Sequence, residues 1–201
     1  MSLESKSTQV RTLRKLRTFL AIDLNDEIRQ AYAELYERGR RYDGLRWVLP
    51  QNLHITLRFL GAIDPERTAP LASDVEAEIA HLVPFRMTIG APGSFGPCDH
   101  PRVLWFGVGF GTRALRQLAR QVEHAARRSG FPKERRPWRP HLTVARNPRR
   151  VRMDGWQELT GDCKLAGLSQ NVENVTLYSS TLRPGERPVY SPVWRLTLKT
   201  K

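Results

Sequence analysis

Two stretches decide how this chain folds: His54-Ile55-Thr56-Leu57 and His141-Leu142-Thr143-Val144. Each has the form H-x-T followed by an aliphatic residue, and each alternates as a strand does. In a strand, residues two apart share a face. His54 and Thr56 therefore share one face, with Ile55 and Leu57 on the other. His141 and Thr143 stand in the same relation to Leu142 and Val144. The aliphatic pair faces a core; the polar pair faces solvent or a cleft. One such stretch is an ordinary polar strand face, but two in matching contexts ask for a common reason.

The reason is a repeat. The two histidines stand 87 residues apart. Stepping back 87 residues from the apolar strand at 103–108 (VLWFGV) lands on 16–21, the start of the strand expected at 18–24 (TFLAIDL). The same step from the helix expected at 112–129 lands on the helix expected after Asn25. Each half thus runs strand, helix, connection, H-x-T strand. Two interleaved halves, about 17–91 and 103–198, are expected to fold alike about a pseudo-two-fold axis. Their histidines would then face each other across a cleft.

The intervening segments fit that plan. Asn25 or Asp26 caps the first helix, which runs to about 41 with Ile28, Ala31 and Leu35 on its apolar face. A short strand at 45–48 precedes the first H-x-T strand at 53–60. Asp64 caps a second helix with Pro65 at its first position, reaching about 82. A strand at 85–91 leads into a Gly/Pro-rich loop at 92–101. Thr112 caps the third helix, and a basic loop at 133–140 carries the chain into the second H-x-T strand. A loop with one short helix near Trp156 follows, then strands at 163–168, 172–182 and 189–198.

Composition narrows the function. The chain has 201 residues, is 40% hydrophobic and carries a formal net charge of +13. That length and apolar content fit one domain, expected at 17–201 behind a basic, flexible tail at 1–16. The charge favours an anionic partner. Cys98 and Cys163 are far apart and form neither a disulfide framework nor a zinc motif, which points to a reduced, cytoplasmic protein. No apolar run approaches the roughly 20 residues of a membrane helix, so no membrane partner is expected.

Two facing His-Thr pairs have a definite chemical use. Histidine titrates near pH 6.5, so one neutral imidazole can take a proton from an attacking water while the other, charged, protonates a departing oxygen. A threonine hydroxyl two residues on can donate to a non-bridging phosphoryl oxygen and stabilise charge that grows in the transition state. Metal binding is the rival use of two histidines. No carboxylate or third histidine sits at ligand spacing beside either one, so neither a metal nor another cofactor is expected.

The longer motifs carry a resemblance. Leu45-Arg46-Trp47-Val48, the run Asn52-Leu53-His54-Ile55-Thr56-Leu57-Arg58-Phe59-Leu60-Gly61, then Pro101-Arg102-Val103-Leu104-Trp105 and Arg139-Pro140-His141-Leu142-Thr143-Val144-Ala145-Arg146 closely resemble the two-histidine phosphoesterase superfamily. Within it they resemble the bacterial and archaeal RNA 2′,3′-cyclic phosphodiesterase branch, also called 2′-5′ RNA ligase. Val144 stands where leucine is more usual. The resemblance implies an α+β fold of two lobes, with antiparallel sheets lining a cleft and helices outside. It implies metal-independent opening of RNA 2′,3′-cyclic phosphate ends to a 2′-phosphate. By resemblance His54 is the general acid, His141 the general base, and Thr56 and Thr143 the phosphate-binding hydroxyls. The expected partner is RNA with a cyclic phosphate end, or a related nucleotide, acted on by a monomer.

Other residues are candidates for holding substrate. Arg58 alternates onto the face of His54 and Thr56 and is expected to reach the cleft, with Phe59 on the core side. Arg146 alternates away from His141 unless a bulge intervenes, yet its place in the H-L-T-x-A-R motif suits a phosphate contact. Trp138 and Arg139 end a loop that mixes basic and aromatic side chains as single-stranded RNA requires; Trp138 either stacks a base or packs in the core. Trp47 either lines the cleft or belongs to the core. Two further activities stay open: 2′-5′ RNA ligation, which needs the same four residues, and an RNA- or nucleotide-binding module without turnover.

Overall fold

A computed structural model describes residues 15–153, 159–160, 163–183 and 185–199. Residues 1–14 of the tail expected at 1–16, and the helix expected near Trp156, lie outside the described residues; Leu16 already belongs to the first strand. The first strand, β1 (Leu16–Asp23), is buried along its centre. Asn25 caps α1 (Asp26–Gly39) by accepting the Ile28 N–H at 3.0 Å. The chain then makes β2 (Arg46–Trp47), β3 (His54–Ile63), α2 (Thr68–Ile79) and β4 (Phe85–Phe95). The second half supplies β5 (Val103–Val108), α3 (Thr112–Arg128) and β6 (His141–Arg146). It ends in β7 (Ser169–Val172), β8 (Asn174–Thr181) and β9 (Val189–Thr197).

These strands form two antiparallel sheets, ordered β3-β1-β8-β9 and β2-β6-β5-β4-β7. The orders correspond. β3 and β6 carry the H-x-T motifs, and β1 and β5 are their inner neighbours. The halves exchange strands: β4 closes the first half in sequence but joins the second sheet, while β8 and β9 return to the first. The expected α+β fold with two antiparallel sheets and a duplicated plan is what the chain adopts. One core runs through both halves, from Leu20, Ile22, Ile55 and Leu57 to Phe106, Leu142 and Val144.

Four local expectations change. β4 continues through Pro92 to Phe95, where the Gly/Pro content reads as loop; a register shift between Ile89 and Pro92 accommodates the proline. The segment 163–168, expected as a strand, holds a turn at 164–167 with Gly167 at φ +90°. Asp64 makes no side-chain cap, and a single 3-10 turn at Pro65–Arg67 precedes α2. Thr112 is the first residue of α3 rather than its cap; its hydroxyl donates to the Val108 and Gly109 carbonyls. Gly111 precedes it at φ +81°, where a Cβ would stand 2.4 Å from the Arg86 carbonyl oxygen.

Candidate active site

β3 and β6 bring the two H-x-T motifs toward each other. Ile55, Leu57, Leu142 and Val144 are buried to 3% exposure or less, so core burial fixes which way each motif faces. Both imidazoles are held alike. The Nδ1–H of His54 donates to the Asn52 carbonyl at 2.7 Å, and that of His141 donates to the Arg139 carbonyl at 2.8 Å. A carbonyl can only accept, so each neutral ring carries its proton on Nδ1 and offers a bare Nε2. His54 Nε2 lies 3.1 Å from the Thr56 hydroxyl.

The surroundings of the two rings differ. His54 is caged by aromatic rings: Phe19 at 4.7 Å and Tyr190 at 5.4 Å between centroids. Burial in that cage pushes its pKa down to about 4, against the smaller opposing pull of the Asn52 carbonyl and the Asp23 carboxylate. His141 stacks edge-on to Phe95 at 5.0 Å and is also pushed down, first by burial. Asp23, paired with His54 in the β1–β3 register, is held by Thr176, Arg195 and the Tyr178 hydroxyl.

Between the strands lies a cavity of about 650 Å³. Thr56, His141, Thr143 and Arg146 line it, with Trp138, Arg139, Phe59 and Phe95. Arg102 and Arg136 line it too. The guanidinium groups of Arg102, Arg136, Arg139 and Arg146 have no partner among the described residues, so the cleft presents free positive charge to an anion. His54 is set back behind Thr56.

Bulges decide which later residues reach the cavity. In the β1–β3 ladder, Ala21 pairs with Thr56 and Leu20 with Arg58, so Leu57 is the extra residue. In the β5–β6 ladder, Trp105 pairs with Thr143 and Leu104 with Ala145, so Val144 is the extra residue. Each bulge reverses the alternation beyond it. Arg146 is thereby turned into the cleft, as its motif suggests and simple alternation denies. The same reversal bears on two residues of β3. Arg58 lines the cavity, as expected, but not as a free cation. It is 8% exposed, ion-paired to Glu123 and to Glu134 at 3.2 Å, and bonded to the Pro132 carbonyl. Phe59, expected on the core side, is 55% exposed and lines the cavity.

The tryptophans separate as well. Trp138 packs against the core, and it also lines the cavity while donating to the Thr56 carbonyl at 3.0 Å. Trp47 is 2% exposed and lies over Gly39, where a Cβ would stand 2.2 Å from its ring. It is a core residue and offers no stacking surface. Sequence reasoning missed Phe59, Phe95, Arg102 and Tyr190. Arg102 lay inside a quoted motif and could have been found; the others needed the bulges and the strand exchange. Among the described residues no cluster of three metal-ligating side chains exists, and no helix is long and apolar enough to cross a membrane.

Known proteins are similar to this chain in sequence and fold. The model of the 2′-5′ RNA ligase superfamily matches residues 21–183. The RNA 2′,3′-cyclic phosphodiesterase of Thermotoga maritima is 31% identical over 180 residues, covering 89% of this chain and 94% of its own. The Escherichia coli K12 protein of the same name is 32% identical over 183 residues, covering 90% and 97%. The crystal structure of E. coli LigT in apo form aligns at a TM-score of 0.72 and 29% identity, over 93% of this chain and 99% of that one. Its complex with 3′-AMP aligns at 0.73 and 30% identity, over 92% and 99%.

Proposed function

Because the chain belongs to the 2′-5′ RNA ligase superfamily, we propose that it is an RNA 2′,3′-cyclic phosphodiesterase that opens cyclic ends to 2′-phosphates by a two-histidine acid–base mechanism. One observation carries the reading: each imidazole is held at Nδ1 by the carbonyl two residues before it, leaving Nε2 for proton transfer. Binding alone requires no such pair of proton carriers.

The residues divide the work as follows. Water attacks phosphorus on the side of His141, whose Nε2 removes a proton. The bond to the 3′ oxygen breaks, and His54 returns a proton to that oxygen. Thr56 and Thr143 donate to the non-bridging oxygens, and Arg146 neutralises charge that builds there. Phe59 and Trp138 give the nucleobase an aromatic wall. No step needs a metal or another cofactor. A ribose hydroxyl in place of water gives, with the same residues, the 2′-5′ joining named in the family's description.

Burial holds His54 near pKa 4 in the free chain, so the general acid is uncharged at neutral pH until substrate arrives. The anionic phosphate then favours the charged imidazole and supplies what the acid needs. One chain provides both motifs, so a monomer in the cytoplasm suffices.

The test is a pair of substitutions, His54→Ala and His141→Ala, assayed for turnover and for affinity toward RNA with a cyclic end. Each should abolish turnover and leave affinity largely to the arginines. Retained turnover in either variant contradicts the mechanism.

A further inference from the structure

The cleft accounts for one part of the charge of +13, and α3 carries another. At 100° per residue, Arg113, Arg116, Arg120 and Arg127 fall within about 60° of one another, in a stripe about 21 Å long. All four are exposed, and none has a partner among the described residues. The neighbouring basic side chains on the helix already have partners. His124 and Arg128 turn toward α2, where Glu78 and Asp74 pair with them. The acid on the opposite flank, Glu123, pairs with Arg58. The stripe therefore faces solvent with no carboxylate paired to it among the described residues.

The matching helix of the first half carries no such stripe. The exposed positions of α1 are Asp26, Glu27, Gln30, Glu34, Glu37 and Arg38. The duplicated plan does not dictate the arginines.

The stripe is also joined to the cleft. The Glu134 N–H donates to Glu123 at 3.0 Å, which ties the basic loop to the flank of α3 within about one helical turn of Arg120 and Arg127. From there Arg136, Trp138 and Arg139 lead onto the wall of the cavity. Cations thus run from the cavity, along the loop, to the outer face of the helix.

We infer that the Arg113, Arg116, Arg120 and Arg127 face of α3 is a second contact surface for RNA, holding the backbone of the strand that leads away from the end bound in the cleft. The inference rests on the proposed substrate class. Guanidinium groups suit phosphodiester oxygens. A membrane surface would ask for bulky apolar side chains beside the cations, and the exposed positions of α3 hold none.

The test compares the wild-type chain with the variant R113Q/R116Q/R120Q/R127Q. Its first probe is a single-stranded RNA of about 20 nucleotides ending in a plain 3′-hydroxyl, titrated at several salt concentrations. The variant should bind roughly tenfold or more weakly at low salt, and its log-log salt slope should be shallower by roughly 3, at ~0.7 per phosphate contact. Turnover of a dinucleotide 2′,3′-cyclic phosphate should be unchanged, while KM for a long RNA with a cyclic end rises. Equal affinity and equal slope overturn the inference. Equal loss on the dinucleotide overturns it too, because the face would then act through the cleft. Wild-type sedimentation with anionic vesicles, lost in the variant while RNA binding is kept, reassigns the face to a membrane. A wild-type chain that leaves the dinucleotide untouched defeats the proposed activity instead, and the binding comparison still judges the stripe.

Discussion

Phe59 and Arg146 occupy the same place in the two halves of the fold. Each stands five residues after a motif histidine, and each is turned into the cleft by a bulge at the aliphatic residue that ends its motif, Leu57 or Val144. The duplicated backbone is symmetric there and the chemistry is not: one half offers a ring, the other a cation.

Substitutions at these two positions should part along that line. Arg146→Ala should lower kcat by about 10²–10³, the scale for losing one preorganised transition-state contact, and lysine should not restore it. Phe59→Ala should raise KM by roughly tenfold with kcat nearly kept, since a stacked base contributes about 1–3 kcal/mol. Steady-state kinetics on a dinucleotide cyclic phosphate checks both. A loss of kcat at Phe59 would refute the assignment of its ring to the base.

The acid–base division sets the pH dependence. Both imidazoles are pushed below the ordinary 6.5, His54 to about 4. The profile of kcat/KM reports the free enzyme, so it should be bell-shaped with its optimum on the acid side of neutrality. The kcat profile should lie at higher pH, because bound phosphate raises both values. A flat kcat/KM profile between about pH 4 and 8 would show that the histidines do not share the proton transfers.

His54 also makes stability depend on pH. Its folded pKa lies below its unfolded one, so the unfolded chain binds the extra proton and stability rises with pH. From about pH 6.5 down to pH 4 the folded state should lose about 3 kcal/mol through this residue. Urea unfolding at several pH values measures it. His54→Phe keeps an aromatic ring in the cage and should flatten the dependence; an unchanged slope would assign the effect to other groups.

Arg58 is expected to matter for stability rather than for phosphate. Arg58→Met strands Glu123 and Glu134 and releases the Pro132 carbonyl. A cost of about 2–4 kcal/mol is expected, at or below the usual range for a broken buried pair because both glutamates keep some contact with water. Urea titration reads that cost. A large fall in phosphate affinity without loss of stability would make Arg58 a substrate contact instead.

Much of this was legible in the chain. The spacing of His54 and His141 and the aliphatic residues between the polar ones disclosed the duplication and the facing motifs, because hydrophobic alternation is a local signal; the two antiparallel sheets were implied by the family resemblance of the longer motifs. What escaped depends on pairing between distant strands. The bulges at Leu57 and Val144 are properties of the ladders with β1 and β5, and no local pattern marks them. Phe59 was therefore placed on the core side, and Arg58, which lines the cavity, was not foreseen to be tied to Glu123 and Glu134. Arg146 was rescued by its motif against its own alternation. Tyr190, which cages His54, comes from a strand that returns to the first sheet after the whole second half has been laid down.

The central claim is that the two histidines open a cyclic phosphate with the 3′ oxygen leaving, unaided by metal. The most direct measurement incubates the protein in EDTA with a short RNA bearing a 2′,3′-cyclic phosphate and identifies the new end. A 2′-phosphate is the expected product. A 3′-phosphate would mean that the 2′ oxygen leaves and would reverse the substrate between His54 and His141. An end that stays cyclic in EDTA and opens only when a divalent cation is restored would contradict the account.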